Sequence, residues 1–157
     1  MPLCHVVRAL HFLEPADGSR ELERAVAAGI PPSKIVFSGV GKTAAELAFA
    51  VQTGVCEINV ESEPELDLLA EVAARLGKRQ AIAIRVNPDV SAGGHAKIAT
   101  GKSENKFGVS FAEALRLYAK AESLPSIHAA GVACHIGSQI TDLTPMREAF
   151  AKMRGLV

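Results

Sequence analysis

His135, Gly137 and Ser138, in the run His135-Ile136-Gly137-Ser138-Gln139, bring an imidazole, bare backbone and a hydroxyl to the end of an apolar stretch. That set suits a flat, phosphorylated ligand: a ring can lie on the imidazole, and glycine lets backbone N–H groups approach a phosphate. Arg85, in Arg85-Val86-Asn87-Pro88, closes a second apolar run. A guanidinium fixed there can bind a phenolate or carboxylate oxygen; the competing reading is an ion pair. Cys134 precedes His135, but strand alternation sends neighbours to opposite faces, so the two form no nucleophile–base pair and Cys134 reads as core. Gly39-Val40-Gly41-Lys42-Thr43 ends like a phosphate-binding loop, yet Val36 stands where that motif needs its first glycine. It reads instead as a strand-to-helix turn capped by Thr43. Glu61, Glu63, Glu65 and Asp67 read as a solvated first helical turn. The five histidines and three cysteines show no H-x-x-x-H or C-x-x-C spacing, so no metal site is expected.

The elements that must position these groups alternate. Residues 35–38, 57–60, 81–86 and 127–135 read as strands, and 20–28, 43–53, 63–76, 111–123 and 144–156 as helices. Thr43 with Glu46, Ser62 with Glu65, and Ser110 with Glu113 have capping-box spacing. Strands alternating with helices imply a parallel α/β sheet, whose ligand sites lie at carboxyl-terminal strand ends. Strict alternation along 127–135 puts Ile127, Ala129, Gly131, Ala133 and His135 on one face. The polar, glycine-containing segment 89–105, flanked by Arg85 and Asn87 and carrying His95, Lys97 and Lys102, with Lys106 just beyond it, is long for a connection without a task.

The whole-chain quantities exclude several classes. A chain of 157 residues with 48% hydrophobic and 22% charged residues can bury one core. Zero net charge and a single Tyr without Trp give no footprint for nucleic acid. Three scattered cysteines argue against a disulfide framework and for a reducing compartment, and no apolar run reaches membrane length. The expected location is the cytoplasm.

Five segments in order carry a resemblance: Val36-Phe37-Ser38-Gly39-Val40-Gly41-Lys42-Thr43; Asn59-Val60-Glu61-Ser62; Arg85-Val86-Asn87-Pro88; Thr100-Gly101-Lys102-Ser103-Glu104-Asn105-Lys106-Phe107-Gly108; and His135-Ile136-Gly137-Ser138-Gln139. Over about residues 20–157 the chain resembles the diaminopimelate decarboxylases. The resemblance implies an alanine-racemase-like (β/α)8 barrel followed by a β domain, with pyridoxal 5′-phosphate as cofactor. It implies decarboxylation of meso-diaminopimelate to L-lysine by a homodimer, with no nucleic acid or membrane partner. In that frame His135 stacks on the cofactor ring, Gly137 and Ser138 lie near its phosphate, and Arg85 approaches its phenolic oxygen.

The same comparison implies what is missing. The lysine that binds the cofactor covalently and the family's catalytic cysteine have no counterpart in the sequence. Residues 1–19 read as a non-matching leader and 20–157 as an incomplete barrel domain without its C-terminal β domain. The chain is thus expected to be an internal piece of the enzyme, inactive alone. The competing readings are a non-catalytic remnant, or a segment of an ornithine, arginine or carboxynorspermidine-type decarboxylase of the same fold.

Overall fold

The computed structural model describes residues 5–8, 19–90, 108–137 and 140–156. Strand β1 (His5–Arg8) is followed by α1 (Ser19–Ala27), a 3-10 turn (Pro32–Lys34) and β2 (Ile35–Ser38). Then come α2 (Ala44–Thr53), β3 (Glu57–Val60), α3 (Glu63–Arg75), β4 (Gln80–Val86), α4 (Phe111–Glu122), β5 (Ile127–Cys134) and α5 (Thr144–Met153). Every strand read from the sequence is present, within a residue at each end. An additional strand, β1, lies in the segment read as a leader and pairs with β2, His5 opposite Ile35 and Arg8 opposite Ser38. Four residues with two polar ends carry too little alternation to be legible alone.

All pairings are parallel and the spatial order is β1-β2-β3-β4-β5, the order of the sequence. Right-handed crossovers between strands that always step in one direction put every helix on the same face. That is the pattern of a barrel wall; a doubly wound sheet must reverse direction. The sheet is therefore an arc of a (β/α) barrel, open among the described residues. On its helix side Leu22, Phe37, Leu47, Ile58, Leu66, Leu69, Ile82, Ile84 and Leu117 form one buried cluster. No helix among the described residues is long and apolar enough to cross a membrane.

The helix starts follow their signals. Thr43 and Ser110 each form a complete capping box, with Glu46 and Glu113 respectively. Ser62 accepts the Glu65 backbone N–H, but Glu65 does not reach back, because its carboxylate is held by Lys42 at 2.6 Å. Lys42 also donates to the carbonyls of Gly39 and Asn59, both at 2.7 Å. Its three ammonium donors are thereby matched to three acceptors, and the pair sits with side chains only 2% and 7% exposed.

One local irregularity changes the facing of β5. Ala129 lies opposite Ile82 and Gly131 opposite Ala83, so Ala130 has no partner on β4: a β-bulge. Strict alternation would put Ile127, Ala129, Gly131, Ala133 and His135 on one face. The extra residue divides them. Ile127, Ala129, Val132 and Cys134 pack with the helix-side cluster, while Gly131 and Ala133 pair with Ala83 and Arg85 on the inner face. Beside the bulge, the Tyr118 hydroxyl of α4 donates to the Gly131 carbonyl at 2.8 Å.

Candidate functional site

Ser38, Asn59, Arg85, Ala133 and His135, from the carboxyl-terminal halves of β2, β3 and β4 and the end of β5, line one cavity of about 280 Å³. Small-molecule pockets run from about 300 to 1,000 Å³, so this cavity, on the inner face of the sheet, lies just below the lower end of that range. Each wall residue is placed by strand alternation: Asn59 pairs with Ala83, and Ala83 with Gly131, so three neighbouring strands present their inner side chains at one level. One step further along, Arg85 pairs with Ala133. Small residues on β5 leave the space that Arg85 and His135 border. A Cβ on Gly131 would stand 3.3 Å from Glu57 Oε2.

Arg85 is held from one side. Its Nη1 donates to Glu61 Oε1 at 2.9 Å, with side-chain exposures of 13% and 4%. The ion pair foreseen as the competing reading and the cavity-lining position are thus both present in one residue. Arg85 is anchored from the backbone too. Its carbonyl accepts Val109 N–H at 2.9 Å, and Asn87 N–H donates to Val109 O at 2.9 Å. Gly108 makes that return possible: at φ +80° it adopts a backbone that side chains rarely take, and a Cβ would lie 2.9 Å from Arg85 O. This is the glycine that closes the Asn-Lys-Phe-Gly segment of the sequence; residues 91–107 lie outside the described residues.

His135 is half-buried just past the end of β5. It also borders a second, smaller cavity of about 130 Å³, shared with Gly137 and with Met146, Ala149 and Phe150 of α5. The structure therefore brings Arg85 and His135 together and places Gly137, at φ +150°, round the corner on the α5 side. Ser138 lies outside the described residues. Cys134 is opposite Val86 and packs against the helix-side cluster, while its flank borders the cavity. Burial pushes its thiol up, against the weaker pull of the nearby Arg85 charge, which disfavours a nucleophilic thiolate. Burial likewise raises the Glu57 carboxyl.

Sequence reading missed Glu61 and Asn59. The acidic run after β3 is not uniformly solvated: Glu61 and Glu65 are buried in ion pairs, whereas Glu63 and Asp67 bind Lys120 at the surface at 2.9 and 2.6 Å. A signal was available. Glu57, Asn59 and Glu61 are spaced by two, so the strand carries three polar residues on one face opposite the apolar Ile58 and Val60. Two buried polar atoms on that face, Asn59 Oδ1 and Glu61 Oε2, have no hydrogen-bond partner among the described residues.

The comparisons with known proteins agree with this fold. Residues 16–157 match the family model described as "Pyridoxal-dependent decarboxylase, pyridoxal binding domain". The chain is 53% identical over 137 residues to the diaminopimelate decarboxylase of Zymomonas mobilis, covering 87% of this chain and 32% of that protein. It is 50% identical to that of Neisseria meningitidis serogroup A, covering 99% and 41%. Its fold matches the crystal structure of diaminopimelate decarboxylase from Helicobacter pylori complexed with L-lysine, with a TM-score of 0.85 and 43% identity over 87% of this chain and 35% of that one. The chain spans a third to two fifths of the length of these relatives. The chain belongs to the pyridoxal-dependent decarboxylases, within their pyridoxal-binding domain.

Proposed function

We propose that this chain forms part of the cofactor wall of a diaminopimelate decarboxylase, which converts meso-diaminopimelate to L-lysine and carbon dioxide. The observation that carries this reading is the convergence of Arg85 and His135, distant in sequence, on one cavity at the carboxyl ends of parallel strands. The residues fit pyridoxal 5′-phosphate on a second observation: Asn59 lines the same cavity, and its Oδ1, buried without a partner among the described residues, calls for a donor from a bound molecule or its water.

When bound, the cofactor accepts the electron pair left as carbon dioxide departs. The side chains of this chain hold it in place for that step. His135 offers an imidazole face to the ring, above a floor kept low by Gly131 and Ala133. Arg85 offers a cation to the phenolic oxygen, and its mobility is restricted by Glu61 and by the Val109 backbone bonds. Gly137 and Ser138 serve the phosphate. Residues 20–157 act as a portion of the barrel domain. The lysine and cysteine that complete the family's chemistry are not assigned to any residue here. Following the same resemblance, the working assembly is a cytoplasmic homodimer.

The reading is tested on the protein that carries this chain, by carbon dioxide release from meso-diaminopimelate with and without pyridoxal 5′-phosphate. Release that depends on the cofactor and falls in His135→Ala supports it. Release no faster than with free cofactor overturns it.

A further inference from the structure

Two buried ion pairs stand side by side at the carboxyl end of β3, and they differ in one respect. In the Lys42–Glu65 pair, all three ammonium donors find acceptors, as expected of a pair that holds loops together. In the Arg85–Glu61 pair, Glu61 Oε1 accepts Nη1 at 2.9 Å, while its Oε2 is buried with no hydrogen-bond partner among the described residues. A pair that served packing alone would saturate the second oxygen or expose it to water. Glu61 instead sits just past the end of β3 with its side chain only 4% exposed, and its partner Arg85 lines the cavity.

We propose that Glu61 is a positioning residue for Arg85. It fixes the direction of the guanidinium and neutralises it, so that the ligand's oxygen meets an oriented hydrogen-bond donor rather than an unbalanced positive charge. This rests on the reading that the cavity takes pyridoxal 5′-phosphate. Its chemical consequence is a tuning of acidity. A nearby cation favours the deprotonated form of whatever titrates on the ligand, and a carboxylate paired to that cation cancels much of the effect. Removing the carboxylate charge therefore makes the bound chromophore more acidic. Among the described residues, the other titratable groups around the pair are Lys42 just before the α2 cap, Glu65 in the first turn of α3, Glu57 on β3, Cys134 at the end of β5 and His135 just past it. All are left in place by substitutions at Glu61.

The test is a visible-absorbance pH titration of pyridoxal 5′-phosphate bound to the protein that carries this chain, in wild type, Glu61→Gln and Glu61→Asp. Glu61→Gln keeps the volume and an oxygen for Arg85 but not the charge. Its chromophore midpoint is expected to fall by about one pH unit, a tenfold change in the proton's dissociation constant. Glu61→Asp withdraws the charge by one methylene and moves the midpoint less, in the same direction. A folded Glu61→Gln protein that binds the cofactor with an unmoved midpoint overturns the proposal, even if its thermal stability falls, because lost stability alone is what a packing role would give. If Glu61→Gln does not fold, Glu61→Asp carries the test, and an unmoved midpoint there overturns it. A wild-type protein that takes up no pyridoxal 5′-phosphate overturns the functional reading and this proposal together, a result distinct from a bound chromophore indifferent to Glu61.

Discussion

At His135 the expected effect of truncation is set by ring contact rather than by charge. A stacked ring partner is worth roughly 0.5–1.5 kcal/mol beyond its buried area, so His135→Ala in the protein that carries this chain should weaken pyridoxal 5′-phosphate binding about two- to tenfold. Cys134→Ala is the control, because Cys134 packs toward the helices; its cofactor affinity should stay within about twofold of wild type. Loss of binding in Cys134→Ala with His135→Ala unaffected would reverse the facing of this strand end. Lys42→Met leaves Glu65 buried and unpaired, a change that costs about 3–5 kcal/mol when a buried pair loses one partner. Burial already raises the Glu65 carboxyl despite the Lys42 charge. A carboxyl whose folded pKa lies above its unfolded one loses stability as pH rises through the folded value. The Lys42→Met penalty should accordingly be larger at about pH 7 than at about pH 5 by urea unfolding, and adding Glu65→Leu should recover most of it. An equal penalty at both values would mean that Glu65 is not the group left stranded.

Elements were legible where local signals agree. Helix α4 begins at Ser110 because Ser110 and Glu113 satisfy each other's backbone N–H groups, a pattern readable from spacing alone. Ser110→Ala should cost about 0.5–2 kcal/mol. The same bonds hold the Glu113 carboxyl below its ordinary value. A depressed carboxyl contributes stability above its unfolded pKa and loses it as pH falls through the folded one. The stability difference between wild type and Ser110→Ala should therefore narrow in acid, and a gap constant down to about pH 3 would refute this account of the cap. Other features left no local trace. The capping box at Ser62 is incomplete because Glu65 is taken by Lys42, and no spacing rule connects residues from different βα units. Glu61 was half legible: its spacing by two from Glu57 and Asn59 marks one polar face, but an acidic run reads as solvated until the fold shows which carboxylates find cations. The bulge at Ala130 was invisible because His128-Ala129-Ala130-Gly131 offers no contrast between faces.

At the scale of the whole molecule, the order of the strands was readable from their pitch and the partial barrel from the resemblance. A pitch of roughly two dozen residues per βα unit predicts parallel neighbours in sequence order, and the sheet has that order. The outer edges of β1 and β5, unpaired among the described residues, and an inner face lined by Ala83, Gly131 and Ala133, are surfaces that a closed barrel would cover. The 157-residue chain expressed by itself should self-associate, seen as concentration-dependent elution on size exclusion. It should release no carbon dioxide from meso-diaminopimelate beyond the free-cofactor rate. A clean monomer with one cooperative unfolding transition would count against the first expectation, and cofactor-dependent release against the second.

Strand β4 runs through seven residues while β5 spends eight over the same ladder. Facing along a strand is a matter of odd and even, so the surplus residue is a parity correction. It lets Ile127 begin among the helices and His135 finish at the cavity, two destinations that an uninterrupted strand of this length would make mutually exclusive. The position of the cavity face is therefore encoded by a count rather than by a side chain. Deleting Ala130 equalises the strands at seven residues each and keeps both ends in phase, so that variant should retain cofactor binding. Inserting one alanine after Ala133 shifts only the far end. It should swing the imidazole into the helix layer and abolish binding more thoroughly than removing the imidazole does.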